Sequence, residues 1–338
     1  MARSSSYLPQ EIIPASSWKQ VVLNAVVPLL VLFGVMLVPY PSSLRYRSLD
    51  GDAEKFRWVY SRLHEQTAPL DLALIGTSRT MGAVNDSLMQ AELKRRYGLE
   101  IATANLGVSW QGRDMAYLMT RTLLENKACR FLVIEVQESL ARTGHPLFGT
   151  LAEAVDIVEA PLLINRGYFP NLWRLPRREA ENVTRYLGLQ LGLPVTVEDL
   201  GTFADRAHFP FSHDAVPGPA EMARMNAEFE ARKQWRVLPE QLDGLEFGMP
   251  RSYLRKCVAL ARESGVDLVF LYLPYFGYQG SPQDEQFFRE HGTLLMPPTA
   301  ILEDAENWYD ATHLNTAGNR LISAWLVDEL ARLAAAGG

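Results

Sequence analysis

Ser78 closes the run Leu72 to Arg79, Leu-Ala-Leu-Ile-Gly-Thr-Ser-Arg, and near the other end of the chain Asp310 stands three residues before His313 in Asp-Ala-Thr-His. A serine hydroxyl is a poor nucleophile until a base takes its proton, and histidine does this near neutral pH. A carboxylate on the same loop holds the imidazole in one tautomer and stabilises the imidazolium. These residue types predict acyl chemistry: attack by Ser78 on an ester carbonyl, with His313 as the base and Asp310 orienting it. A turn serine, a helix-leading aspartate and a structural histidine are each ordinary alone. Their joint occurrence at these positions carries the expectation.

Elements must bring the two ends together. Asp71 to Gly76 reads as a strand ending on a turn, which puts the serine at the carboxyl edge of a sheet, where open α/β folds hold their ligands. Asn85 or Asp86 then caps a helix to about Tyr97, stopped by Gly98. Ile101 to Leu106 reads as a strand and Gly112 to Leu124 as a helix. Phe131 to Val136 is an apolar run broken only by Glu135, which suits a buried parallel strand. The pattern resumes with a helix at Ser252 to Ser264, a strand at Val266 to Leu273, a short apolar piece at Thr293 to Met296, and a closing helix from about Ala317 to Leu333. Such alternation implies a parallel sheet with helices on both faces. Between Ser139 and Pro250 the periodicity fades, apart from a helical piece at Ala220 to Arg232. This stretch of about 139–250 is expected to be an insertion that caps the sheet.

The chain has 338 residues, 48% hydrophobic and 21% charged, an ordinary globular balance that suggests two domains or one with an insertion. A formal charge of -6 gives nucleic acid no general attraction. The two cysteines, Cys129 and Cys257, have neither metal-ligand spacing nor a disulfide framework; each precedes an expected strand, and they read as two buried or half-buried thiols. His208 and His213 flank Phe209-Pro210-Phe211 ahead of Asp214, which reads as cap surface rather than a metal site. No metal and no cofactor are expected. Asn182-Val183-Thr184 is a sequon, meaningful only in a eukaryotic secretory setting.

Residues 1–20 are polar and read as an arm. Val21 to Val38 is almost wholly apolar and uncharged, interrupted by Asn24, Pro28 and Gly34. A length of about 20 residues crosses a bilayer. Trp18 and Lys19 before it and Tyr40 after it suit membrane interfaces, and no cleavage-site pattern follows. An uncleaved transmembrane anchor at 21–40 is expected, then a linker at 41–70 with a helix over Asp52 to Gln66, then a catalytic domain at 71–338. Arg3 and Lys19 before the span, with Arg45, Arg47, Lys55 and Arg57 after it, do not fix which side the domain occupies.

Gly76-Thr77-Ser78 resembles the Gly-Asp-Ser of SGNH (GDSL-like) hydrolases. Asn105-Leu106-Gly107 is similar to their second block, and Asp310 to His313 to their final Asp-x-x-His. The resemblance covers roughly 70–137 and 252–333. Within that superfamily the chain is most similar to a membrane-anchored branch that works beside membrane-bound O-acyltransferases, as the alginate O-acetylation and lipoteichoic-acid D-alanylation proteins do. The resemblance implies a flavodoxin-like three-layer α/β fold, a triad of Ser78, His313 and Asp310, and an oxyanion hole from the N–H groups of Ser78 and Gly107. The family's asparagine after the third strand is missing, and Gln137 is the candidate for its place. Arg79 is a candidate to complete the site, and Tyr275 and Tyr278 to stack on sugar rings. The implied activity is acyl, above all acetyl, transfer or ester hydrolysis on a cell-envelope polysaccharide, from the periplasmic side of a bacterial inner membrane. The expected partners are a membrane-bound O-acyltransferase, the polysaccharide and the membrane. A non-catalytic glycan-binding or assembly component, and a lipid or small-ester esterase, are the alternatives.

Overall fold

A computed structural model describes residues 18–51 and 53–336. The expected arm at 1–20 lies outside the described residues except for its last three, and Asp52 lies outside them too. The chain divides into two compact units: Met1–Pro41 with Leu175–Val195, and Ser42–Arg174 with Thr196–Gly338.

In the first unit the apolar run forms helix α1, Trp18–Met36, with Pro28 inside it. Leu23, Leu29, Leu30 and Val31 are each at least 60% exposed. These positions spread around the helix axis, so apolar surface faces outward on several sides. Among the described residues no helix is long and apolar enough to cross a membrane. The expected transmembrane span is therefore not shown; six of the 19 residues of α1 have side chains outside those described. Later in the same unit Tyr40 donates to Glu179 at 2.7 Å and accepts from Asn182 at 3.2 Å. Asn182 is buried, so the sequon is not a surface acceptor.

The second unit holds the sheet. Helix α2, Glu54–Tyr60, runs on into a π-helical turn, Ser61–Glu65. Strand β1 (Leu72–Ile75) leads into α3 (Ser78–Ala83), and α4 (Asp86–Tyr97) follows. Asn85 caps α4 by accepting the Leu88 N–H, and Gly98 ends it at φ 66°, a conformation that suits glycine. Then come β2 (Thr103–Asn105), α5 (Arg113–Asn126), β3 (Phe131–Val136), α6 (Pro219–Arg232), α7 (Gly248–Glu263), β4 (Asp267–Tyr272), β5 (Thr293–Leu295) and α8 (Thr316–Ala336). All strands are parallel, in the order β2-β1-β3-β4-β5.

Strand periodicity sets the two faces. Leu72, Leu74, Val133 and Leu271 share a core with Met89 of α4 and Leu326 of α8. Their neighbours along each strand point the other way, where α5 and α7 pack on each other and against the sheet. The chain leaves β1 toward β2 and returns past it to β3. The direction of winding thus reverses between β1 and β3, and a crevice opens there at the carboxyl ends.

The expected single cap over 139–250 is divided instead. Residues 175–195 group with the amino-terminal segment, while 196–250 stays with the sheet. The boundary between Arg174 and Leu175 falls inside the long helix Tyr168–Gln190, one residue before Pro176.

Candidate active site

The nucleophile turn is built around a carboxylate in β3. Ile75 pairs with Ile134, so Glu135 stands beside Gly76 where β1 has ended. Glu135 is buried. It accepts the N–H of Thr77 at 2.8 Å and of Thr80 at 2.9 Å, and both threonine hydroxyls. These donors belong to the first turn of α3, whose N–H groups have no intrahelical acceptor. Thr77 also caps α3 by accepting the Arg79 N–H at 3.1 Å. Gly76 lets the parts approach: a Cβ there would lie 2.1 Å from Thr80 Oγ1 and 2.6 Å from Glu135 Oε2.

Ser78 is the first residue of α3, and its Oγ lies 2.7 Å from His313 Nε2. On the far side of the ring, His313 Nδ1 is 3.0 and 2.9 Å from the two oxygens of Asp310. Asp310 Oδ1 also accepts the N–H groups of Thr312 and His313, at 2.7 and 2.9 Å. Burial pushes the Asp310 carboxyl up, but its hydrogen bond and charge interaction with His313 and these backbone donors outweigh it and hold it at about 2. An anionic Asp310 accepts a hydrogen bond from Nδ1–H and so keeps the proton on that nitrogen, which leaves Nε2 as the acceptor for the serine proton. The structure thus brings together Ser78, His313 and Asp310 from the two ends of the chain.

They open on a cleft of about 980 Å³, lined also by Trp110, Gln111, Phe211, His213 and Tyr309. Two loops shape it. His145 fastens one to the other: its N–H donates to Asp114, and its Nε2 lies 2.8 Å from the Ser109 carbonyl. Burial raises the Asp114 carboxyl to about 6, against the lowering effect of the N–H groups of His145 and Met115. His213 lies flat on Tyr309, ring centres 4.0 Å apart, and its carbonyl accepts the Thr316 N–H. His208 stands apart, its Nδ1 3.1 Å from Asp86 Oδ2 but poorly aligned for a hydrogen bond. Among the described residues no cluster of three or more His, Cys, Asp or Glu could hold a metal ion.

The other expected site residues lie elsewhere or are already engaged. The Gly107 N–H donates to Asn105 Oδ1 at 3.0 Å and is buried. Asn105 Nδ2 in turn donates to the carbonyls of Thr80 and Val84, so one amide ties the end of β2 to α3. A Cβ on Gly107 would lie 2.8 Å from Met81 N, so the glycine serves close packing. Gln137 gives its amide hydrogens to Glu135 and Thr77 and accepts from Gln111 at 2.7 Å. Of the three expected oxyanion donors, only the Ser78 N–H has no acceptor among the described residues.

Arg79 turns away from the cleft. It is buried, pairs with Glu138 at 2.7 Å and donates to the Leu273 carbonyl. Lys233 reaches the same carboxylate from the end of α6. Burial raises the Glu138 carboxyl, but the two cations outweigh it and hold it below the ordinary range. Tyr275 is buried and donates to Glu230. Tyr278 stacks on Trp235 with centres 5.4 Å apart. Both tyrosines belong to an aromatic group around Lys233, and neither lines the cleft. Lys233 lies over the rings of Phe229, Trp235 and Tyr275 and reaches Glu138, and Tyr278 packs on Trp235 and Tyr275, which holds both tyrosines in this group.

No protein-family model matches the chain, and no curated protein matches it. Solved structures that match include one described as "a putative platelet activating factor from Streptococcus pneumonia". It is 12% identical, covers 90% of this chain and 99% of its own, and has a TM-score of 0.30. At that score the likeness carries no argument.

Three residues of evident importance have only a faint signal in the sequence. Glu135 is one, marked only as a charge inside an apolar run. Asn105 is another, read for its neighbour Gly107. The third is Lys55 of α2, buried, with its Nζ donating to the Asn105 carbonyl at 2.6 Å.

Proposed function

We propose that the chain is a serine-dependent acyl-transferring or ester-cleaving enzyme of the SGNH type, attached to a membrane and acting on a cell-envelope polysaccharide. The observation that carries this is the chain of contacts from Ser78 Oγ to His313 Nε2 and from His313 Nδ1 to Asp310, facing an open cleft. In the first half-reaction Ser78 Oγ attacks the acyl carbonyl while His313 Nε2 takes its proton. Collapse of the tetrahedral adduct passes that proton to the leaving oxygen and leaves an ester on Ser78. In the second, His313 takes a proton from an acceptor hydroxyl or from water, which attacks the same carbonyl; collapse of that adduct breaks the Ser78 ester bond, and His313 returns the proton to Ser78 Oγ. The winding reversal between β1 and β3 and the Gly76-Thr77-Ser78 turn support the SGNH assignment.

The outward apolar surface of α1 supports attachment to a membrane, and the family resemblance supports a periplasmic catalytic unit beside a membrane-bound O-acyltransferase. Fractionation of native membranes, with external protease, tests both the attachment and the side.

One observation favours a second reading. With Gly107 and Gln137 engaged, the oxyanion hole as it stands rests on the Ser78 N–H, and a lost donor typically costs about 10²–10³ in rate. Slow ester turnover follows, and in the limit a glycan-binding assembly component with no turnover. A fluorophosphonate probe separates the two, because it reacts only with an activated serine. Labelling of Ser78 that vanishes in Ser78→Ala and His313→Ala supports the enzyme; an inert Ser78 in the wild-type chain supports the binding component. An oligosaccharide panel with an acetyl donor, read by mass spectrometry, then separates transfer from hydrolysis. Acetate released with no sugar modified leaves an esterase.

A further inference from the structure

Trp110 lines the same cleft as Ser78 and His313, and two features set it apart. Its indole is 69% exposed, and its backbone sits at φ 70°. A bulky residue at positive φ is strained, and such strain persists only where the surroundings impose it. Here the loop is held on both sides of the tryptophan. The Ser109 carbonyl lies 2.8 Å from His145 Nε2, and Gln111 Nε2 donates to Gln137 Oε1 at 2.7 Å. Val108, two residues before the tryptophan, donates to the Gly76 carbonyl at 3.1 Å. The ring is thus presented to solvent from a fixed loop tied to the nucleophile turn. An exposed aromatic on a rigid loop in a cleft is the surface on which a flat apolar ligand face stacks.

The rest of the lining says which ligand. Ser109, Thr143 and Gln111 offer neutral hydrogen-bonding groups, and the His213–Tyr309 pair adds aromatic surface. Among the described residues that line the cleft there is no lysine or arginine. The nearby arginines are committed: Arg79 to Glu138, and Arg113 to the Glu135 carbonyl at 2.6 Å. The carboxylate of Asp310 is anionic at neutral pH and faces the same space. A uronate or phosphate polymer would meet that charge with no lysine or arginine in the lining to pair with it, His313 being already held against Asp310.

We infer that the cleft takes a neutral pyranose, with the C–H face of one sugar ring stacked on Trp110 and its hydroxyls directed toward the Ser109, Gln111 and Thr143 side chains. The inference rests on the polysaccharide reading above and narrows it from cell-envelope glycans in general to uncharged ones. Stacking beside the nucleophile also serves transfer. Water outcompetes a sugar hydroxyl for an acyl-serine unless the sugar is held in attack geometry, where effective molarities reach about 10⁵ M.

The test uses the full chain in detergent micelles. Binding is followed by saturation-transfer NMR and titration with pentasaccharides of β-1,4-linked glucose, mannose and xylose as neutral probes. Oligomannuronate and oligogalacturonate pentamers are the anionic ones. Trp110→Gly removes the ring while suiting the positive φ, and Trp110→Phe keeps a smaller ring. Fluorophosphonate labelling of Ser78 is measured in each variant. The expected result is binding of at least one neutral pentamer and none of the anionic ones. Trp110→Gly should weaken that binding about tenfold or more and Trp110→Phe by less, with the urea midpoint of each variant showing that it is folded. Anionic pentamers that bind as well as neutral ones, no binding by any neutral probe, or unchanged affinity in Trp110→Gly would overturn the inference. A wild-type Ser78 that the fluorophosphonate does not label would instead sink the enzyme reading while leaving the binding result to stand alone.

Discussion

The Glu135 carboxylate accepts both the backbone N–H and the hydroxyl of Thr77, at 2.8 and 2.9 Å, so the turn that carries Ser78 is fastened to β3 rather than held by β1 alone. The same carboxylate reaches Thr80, one turn into α3. Ser78 thus stands between two residues bound to one buried anion, and this fixes where its Oγ points. The Ser78 N–H, the proposed oxyanion donor, lies in the same clasp.

Glu135→Gln should therefore damage the site more than its small change in shape suggests. The amide nitrogen would face donors from Thr77 and Thr80 and leave at least one of them unsatisfied. Removing one partner of a buried, charge-assisted bond costs on the order of 2–3 kcal/mol. Chemical unfolding should show a loss of that order, and fluorophosphonate labelling of Ser78, taken where both proteins are folded, should slow by about 10² or more. Equal labelling rates in variant and wild type would mean that Glu135 supports the fold and not the nucleophile.

Gly76→Ala probes the same clasp from the other side. The new Cβ would fall 2.1 Å from Thr80 Oγ1 and 2.6 Å from Glu135 Oε2, neither of which can retreat without breaking its bonds. Overpacking of this kind costs about 1–3 kcal/mol. Gly244 has nothing within 4 Å of its Cβ position and makes the control, with a change expected within about 0.5 kcal/mol. Urea midpoints for the two alanine variants decide the matter; similar values for both would show that the turn yields.

Local chemistry explains what was legible in the sequence. Helix caps and stops such as Asn85 and Gly98 announce themselves because cap and left-handed positions restrict residue type. The buried parallel strands read as apolar runs because both faces are covered. Ser78, Asp310 and His313 were legible because a serine at the end of a strand and a carboxylate three residues before a histidine are the residue types that acyl chemistry uses, and the structure brings the three into contact. Partners set by tertiary contact were not. Nothing near Arg79 in the sequence says that Glu138 and Lys233 will claim it, or that Gln137 will spend its amide on Glu135 and Thr77. The grouping of 175–195 with the amino-terminal segment is a long-range choice of the same kind.

The triad should behave as one unit. Ser78→Ala and His313→Ala should each remove on the order of 10⁴–10⁶ of any ester turnover, and the double variant should lose little more. Asp310→Asn should also be severe, since it frees the ring to take the wrong tautomer. With its folded value held at about 2 against an ordinary 3.8, Asp310 contributes stability that is complete above about pH 4 and is lost as the pH falls toward 2. Acid unfolding of Asp310→Asn should lack that step. Additive losses in the Ser78 and His313 double variant would argue against a shared mechanism.

Lys55 carries the sharpest pH signature. It is buried, donates to the Asn105 carbonyl at 2.6 Å, and lies over the rings of Trp58 and Phe209 at 4.2 and 4.8 Å. Burial lowers its amine from 10.5 to about 7; Asp86 raises it and Arg206 lowers it further. Between about pH 7 and 10.5 the unfolded chain therefore holds a proton on this amine that the folded chain has released. Stability rises with pH wherever the unfolded state binds more protons. The cost of the buried ammonium is thus fully present below about pH 7 and is relieved as the pH climbs to 10.5, by at most about 1.4 kcal/mol per pH unit. Lys55→Met keeps the apolar stem over Trp58 and removes the titration. Urea unfolding of the two proteins at several pH values from 6 to 10 makes the comparison, and other groups that titrate there cancel in the difference. The wild-type curve should gain on the Lys55→Met curve as pH rises above about 7. Parallel curves would show that the amine is charged in the folded chain throughout, with the Asp86 carboxylate balancing it.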